Sequence, residues 1–434
     1  MHKDPSMKAS KKALIYTLLS LCICIAILTY TSFYILEDYH HTLGFSSIKN
    51  LSNPIINNDM IADGEFYKRT FLSILSLDYF NNISKEFISG PVVPLLIFGV
   101  PQGNAIALYA LFSALLGLGV FNWTRMIFEN SNNHIFAHIL AAIICLNPFN
   151  YYFVVKPGSE IIFFTILSFL ISNTKKISTA LLYPQETISN LKTLAYSFSS
   201  LTCLMVMTRP NTLIFSLLGI LALIRASSSK ISKRFGRYTL YYCILLCAIF
   251  FAASVSIYIP YALRAFTNLS DTSHTVTYFG VPELTISAEL DKTKSLLKIP
   301  LFIMWKFSNW ILAICGIRDS FSNIQTVSGL AGQPWQVITR ITWGLIVYLP
   351  LMILGLFSTI KLFIDAVKRR FNFEYASYVL PSLIAMALII PNIMLYNNER
   401  YIYMVYPAFI VTLSSLSENY QFKIARNVNQ TKNR

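Results

Sequence analysis

Long apolar runs, separated by short polar and basic segments, recur along the whole 434-residue chain. The first, residues 13–36, is long enough to cross a bilayer, since a spanning helix needs about 20 residues. It has no small-residue cleavage site, so we interpret it as a retained span rather than a removed signal. Nine further spans are predicted near residues 91–121, 135–155, 161–172, 194–208, 213–224, 240–262, 341–363, 376–395 and 402–416.

The composition agrees with this pattern. Hydrophobic residues make up 55% of the chain and charged residues only 13%, whereas soluble proteins average about 25% charged. The sequence therefore predicts an all-α polytopic membrane protein, and it excludes a soluble enzyme, a secreted disulfide scaffold and a disordered regulator. The seven cysteines lie within apolar stretches without zinc or thioredoxin spacing, which is typical of small core residues.

The chain carries a net charge of +15. Its Lys and Arg residues cluster in short tracts between the apolar runs, which is typical of the cytoplasmic segments of a membrane protein rather than of a nucleic-acid-binding protein. With both termini cytoplasmic, cytoplasmic segments hold roughly 21 Lys and Arg against about 6 Asp and Glu. The single transmembrane domain, residues 1–434, then has two larger outer loops at 37–90 and 264–340 and a basic cytoplasmic tail at 418–434. Residues 296–317 are apolar but interrupted, which favours an interfacial helix within the second loop.

Two short hairpins predict a recessed cavity on the outer side. The chain between Lys192 and Arg225 must turn near Arg209, and its limbs of about 14–16 residues span only about 21–24 Å. The hydrocarbon core is about 30 Å thick, so we expect Arg209 to lie below the outer surface. The limb after Glu160 is shorter still, so Glu160 is also expected to be recessed, in a cavity lined by protein or water.

Acidic residues of the first outer loop are candidates for chemistry. Asp59, Asp63 and Tyr67 are spaced four apart, so a helix would place them on one face, with Glu65 nearby. Carboxylates there can act as general bases or bind metal. The alternative is an acidic helix N-terminus stabilised by the helix dipole.

Ionisable groups near the other predicted spans are further candidates. Glu160 and Arg209 are costly to bury in a membrane, and they form either a functional site or a structural ion pair. Lys156 precedes Glu160, and Arg400 with Tyr401 forms an outer turn that an aromatic belt would also explain. His134 and His138, four apart at a predicted cytoplasmic helix start, lack a third metal ligand nearby.

Five short motifs, in their order along the chain, resemble those of the GT-C superfamily of membrane glycosyltransferases. The resemblance is to the branch that contains protein mannosyltransferases and aminoarabinose transferases. The corresponding segments are Asp63-Gly-Glu-Phe-Tyr67, Gly90-Pro91-Val-Val-Pro94, Ser159-Glu160, Thr208-Arg209-Pro210, and Arg400-Tyr401 with Pro407. The resemblance covers residues 13–416 except the loop 264–340. The chain departs from it at Gly64, where many relatives have a second acidic residue, and in a shorter final loop.

The resemblance implies a GT-C-like bundle that transfers a sugar from a polyprenyl-phosphate donor to a lipid, glycan or protein acceptor, with inversion. Asp63 would be the general base, and Arg209, Arg400 and Lys156 would bind the donor phosphate. Substrate-binding or orienting roles would fall to Asp59, Glu65, Tyr67, Glu160 and Tyr401. The sequence does not require a metal. We expect a bacterial inner membrane protein with a site facing the periplasm, and no nucleic-acid partner.

Two other functions fit parts of the sequence. A surface-polysaccharide polymerase or ligase would use the large outer loop 264–340 and outer arginines. A non-catalytic transporter of lipid-linked glycans would need charges on both gates of a path through the membrane. Such carriers often have inverted repeats, and the sequence shows no internal repeat.

Overall fold

The structure, a computed structural model, describes residues 5–30, 67, 71–72, 75–76, 92–99, 105–131, 133–155, 158–182, 191–208, 238, 341–368, 403 and 406–415. These residues are almost entirely helical, and no strand occurs among them. Four described helical segments are long and apolar enough to cross a membrane, the third of which includes the break before Pro148: Met7–Thr29, Ala107–Asn130, His134–Tyr151 and Ile341–Lys361. The described residues therefore agree with the prediction of an all-α membrane protein, whereas the full set of ten spans stays a prediction. The outer loop 264–340 and the tail 418–434 lie outside the described residues.

The described helices overlap the predicted apolar runs but have different bounds. They are α1 (Pro5–Tyr30), α2 (Val92–Pro94, continued by a π-helix at Leu95–Gly99), α3 (Ala105–Asn130), α4 (His134–Cys145), α5 (Pro148–Val155), α6 (Ser159–Leu182), α7 (Leu191–Thr208) and α8 (Leu349–Lys368, preceded by a π-helix at Gly344–Tyr348). Residues 406–415 are also helical. The run predicted at 161–172 begins where expected, but α6 continues to Leu182, past the basic pair Lys175 and Lys176.

The helices pack in the order α1, α3, α6, α7, with α4 and α5 against α1 and α3. Polar contacts join the helix ends at one end of this bundle: Lys12 with His134 at 3.1 Å, Arg125 with Ser172 at 3.0 Å, Asn173 with Ser197 at 3.1 Å, and Asn130 with Ser415 at 3.3 Å. We call this the basic end. It brings together helix ends that the sequence predicts to be cytoplasmic. The opposite end, which contains the start of α6 and the end of α7, is called the motif end.

The run predicted as one span at 135–155 is divided into α4 and α5. Pro148 has no N–H to donate to the carbonyl of Ile144, so the helix cannot continue through it. The side-chain amide of Asn150 donates to the Ile144 carbonyl instead, at 2.7 Å. The Phe149 N–H donates to the side-chain oxygen of Asn147 at 3.1 Å, which caps the new helix.

Close packing of α3 against α6 depends on a glycine. A Cβ at Gly119 would lie 2.7 Å from two ring carbons of Phe164, whereas one at Gly117 would lie 3.2 Å from the flexible end of Leu21. The Phe164 ring cannot easily move, because Trp123 donates to the Phe164 carbonyl at 3.2 Å and the ring itself is fully buried.

We therefore expect Gly119→Ala to lower the free energy of unfolding by about 1–3 kcal/mol, as overpacking usually does. Gly117→Ala, the matched control two residues away, should cost clearly less. Thermal unfolding of the purified protein in detergent measures both. Equal melting temperatures for the two variants would contradict this account of the α3–α6 contact.

Candidate functional site

The start of α6 is recessed relative to the start of α3. The Thr165 hydroxyl donates to the Leu115 carbonyl at 2.8 Å, which fixes the alignment of the two helices. At a rise of 1.5 Å per residue, residue 105 lies about 15 Å from residue 115 along α3, towards the motif end. Residue 159 lies only about 9 Å from residue 165 along α6, in the same direction. The first residues of α6 therefore lie about one helical turn deeper than the start of α3. Glu160 is there, only 3% exposed.

The end of α7 lies at a similar depth. Asn173 and Ser197 join α6 and α7 near the basic end at 3.1 Å. From that contact α6 rises about 21 Å to residue 159, and α7 rises about 16 Å to residue 208. Thr208 is buried, and its hydroxyl donates to the Leu204 carbonyl at 2.7 Å. Arg209, the next residue in the sequence, lies outside the described residues.

An aromatic cluster surrounds Tyr403 at the motif end. Its ring centroid lies 4.8 Å from that of Phe153 and 5.7 Å from that of Phe164. Its hydroxyl donates to the side-chain oxygen of Asn150 at 2.6 Å. Glu160 precedes Phe164 by one helical turn. Tyr403, two residues after Tyr401 in the sequence, is therefore anchored beside the first turns of α6.

A second buried polar contact connects the α4–α5 break to α8. The amide nitrogen and oxygen of Asn147 lie 2.8 Å and 3.0 Å from the Tyr348 hydroxyl. The Tyr151 hydroxyl donates to the Cys145 carbonyl at 2.6 Å, a carbonyl that a continuous α4 would have bonded to Phe149. The break thus provides polar groups that bind two tyrosines from distant parts of the chain.

Sequence reasoning did not single out these asparagines and tyrosines. The available signal was Asn147-Pro148-Phe149-Asn150 inside an apolar run, because Asn–Pro is typical of a helix boundary. Which tyrosines would bond to the two asparagines could not be predicted, since Tyr348 and Tyr403 lie about 200 and 250 residues away.

Two of the predicted site residues are described, and both are buried. Tyr67 is 3% exposed and belongs to the same hydrophobic core as Tyr403 and Phe164. Glu160 lies at the start of α6. The remaining predicted site residues lie outside the described residues, and their roles stay predictions: Asp59, Asp63, Glu65, Lys156, Arg209, Arg400 and Tyr401.

The histidine pair is at the basic end, away from these residues. His134 contacts Lys12, and His138 contacts Tyr16 at 2.9 Å. In the described part of the chain, no three His, Cys, Asp or Glu side chains are grouped to hold a metal ion.

Comparisons with known proteins give no independent assignment. No protein-family profile, curated protein or solved structure matches the chain. The resemblance to GT-C glycosyltransferases therefore depends on the sequence motifs alone.

Proposed function

We propose that the chain is an integral-membrane glycosyltransferase that moves a sugar from a polyprenyl-phosphate donor to a lipid, glycan or protein acceptor on the periplasmic or lumenal side. The observation that supports it best is the arrangement of the motif end. Described residues of the separate motifs are buried, namely Tyr67, Val93, Ser159, Glu160 and Thr208, and Tyr403, two residues after Tyr401, is buried beside Phe164 of α6.

Three chain segments carry most of these residues. Tyr67, the last residue of the acidic motif, is in the common core. The short helix α2, which contains the second motif, packs against α7. Ser159 and Glu160 begin α6 beside the end of α5. These segments thus pack into one bundle, which is compatible with a single catalytic cavity.

The predicted phosphate-binding arginines are tied closely to this region. Arg400 lies three residues before Tyr403, so their Cα atoms are at most about 11 Å apart. Arg209 directly follows Thr208, the last residue of α7. A guanidinium can contact a phosphate through two hydrogen bonds, and in a recessed site the surroundings would strengthen each of them.

The proposed reaction is one displacement at the anomeric carbon. The acceptor hydroxyl oxygen attacks that carbon while its bond to the phosphate oxygen breaks, and the configuration inverts. Asp63 takes the hydroxyl proton as general base. Arg209 and Arg400, with Lys156, stabilise the negative charge that develops on the leaving lipid phosphate. Glu160 orients one of these cations or accepts a hydrogen bond from the sugar.

Binding of polyprenyl phosphate to the purified full-length protein tests the donor site. We expect saturable binding that Arg209→Ala or Arg400→Ala weakens about tenfold or more, because each removes charged hydrogen bonds to the phosphate. Arg225→Ala, in the basic tract predicted to be cytoplasmic, is the matched control and should bind like the wild type. A folded wild type that does not bind, or a control that is equally impaired, would contradict the donor site.

A further inference from the structure

A cationic cluster at the basic end has no part in the proposed reaction. The Lys12 ammonium of α1 donates to Nδ1 of His134 on α4 at 3.1 Å. With Nδ1 as the acceptor, a neutral His134 ring has its proton on Nε2. The pair therefore offers two kinds of donor, an ammonium and an imidazole N–H, from two adjacent helices.

Aromatic side chains hold this pair in place. The Lys12 ammonium lies 5.3 Å from the centre of the Phe128 ring, a cation–π contact that positions it. The ring of His138 meets the Phe128 ring edge-on at 4.9 Å. The Tyr16 hydroxyl donates to the His138 carbonyl at 3.2 Å. A flexible surface lysine would have none of these constraints, so the ammonium is preorganised.

The positive charge of Lys12 is not neutralised by a carboxylate among the described residues. The ion pair of this region is Arg125 with Glu129, at 3.5 Å on α3. The other charged groups of α1 near Lys12 are Lys8 and Lys11, both exposed. An anion at Lys12 would thus meet a surplus of positive charge.

The surface next to the cluster is apolar and open. On α4, Ile135 is 74% exposed and Ile139 is 52% exposed. On α1, Ile15 and Leu19 are exposed in the same way. In a helix predicted to cross a bilayer, such side chains face acyl chains. The cationic pair therefore lies where a charged group and an acyl chain of one molecule can both be accommodated.

We propose that Lys12 and His134 form a binding site for the headgroup of an anionic phospholipid in the leaflet at the basic end. The ammonium and the imidazole N–H donate to the phosphate oxygens, and the acyl chains lie along the exposed isoleucines of α4. Basic pockets between transmembrane helices bind anionic headgroups in this way. The site is remote from the motif end, so it does not depend on the proposed glycosyltransferase activity.

The test uses full-length protein in detergent, with bound lipid counted by native mass spectrometry during titration with phosphatidylglycerol or phosphatidylcholine. We expect the wild type to bind phosphatidylglycerol in preference to phosphatidylcholine. Lys12→Gln should weaken phosphatidylglycerol binding about 10- to 100-fold, the range for the loss of charged hydrogen bonds. Lys11→Gln, the matched control, should cost no more than about fivefold, the general effect of one surface charge.

Three further results decide the question. Lys12→Arg, which keeps the charge, should bind phosphatidylglycerol nearly as well as the wild type, and His134→Gln should weaken binding. Equal losses in Lys12→Gln and Lys11→Gln would overturn the site in favour of unspecific attraction. No preference for phosphatidylglycerol over phosphatidylcholine would overturn it as well. Displacement of the lipid by an equal concentration of soluble glycerol phosphate would exclude a lipid as the occupant.

Discussion

Tyr403→Ala is expected to lower the free energy of unfolding by about 3 kcal/mol, the lower end for removal of a large buried ring. Tyr403 is fully buried, and its ring packs between Phe153 and Phe164. Helix association within a bilayer depends on such packing and on interhelical hydrogen bonds, and this substitution removes both. The hydrogen bond to Asn150 is lost too, which leaves a buried amide oxygen unpaired.

The two contributions can be separated. Tyr403→Phe keeps the ring and removes only the hydroxyl, so it should cost about 1–3 kcal/mol. Tyr196→Ala, the same change at a position that is 51% exposed, is the matched control and should cost least. Thermal unfolding can be followed with a thiol-reactive dye, because Cys24, Cys145 and Cys203 are buried. A melting temperature for Tyr403→Ala as high as that of the control would show that the cluster does not stabilise the fold.

Asp63→Asn is expected to reduce sugar transfer about 10²- to 10⁴-fold, the usual contribution of a general base. Asparagine has nearly the same shape as aspartate but cannot accept the acceptor hydroxyl's proton. The assay uses labelled polyprenyl-phosphate sugars as donors, with an extract of the source membranes as acceptor. The same variant should bind polyprenyl phosphate like the wild type, since the base does not hold the phosphate.

Asp78→Asn provides the control, because Asp78 belongs to the same predicted outer segment but not to the acidic motif. It should transfer sugar at the wild-type rate. Retained transfer by Asp63→Asn would exclude Asp63 as the base, whatever the donor. Loss of polyprenyl phosphate binding in Asp63→Asn would assign Asp63 to the donor site instead.

Several features followed from the sequence alone. The apolar runs predicted the helices at α1, α3 and α8, because a bilayer-spanning segment must be both apolar and about 20 residues long. The short limb predicted after Glu160 is wrong, because α6 continues to Leu182, although Glu160 is buried. The grouping of Lys12, Arg125 and the end of α6 at one end of the bundle also followed from the distribution of positive charge.

Tertiary structure decided the remainder, because those contacts join residues far apart in the chain. The division of α4 from α5 leaves carbonyls that Asn150 and Tyr151 satisfy, and it presents asparagines to Tyr348 and Tyr403. Periodicity describes one helix at a time and does not specify its neighbours. The sequence likewise showed His134 and His138 at a spacing that could bind a metal, but without a third ligand. Only the packing of α1 against α4 showed that the partner of His134 is Lys12, because the hydrogen bond joins side chains separated by 122 positions.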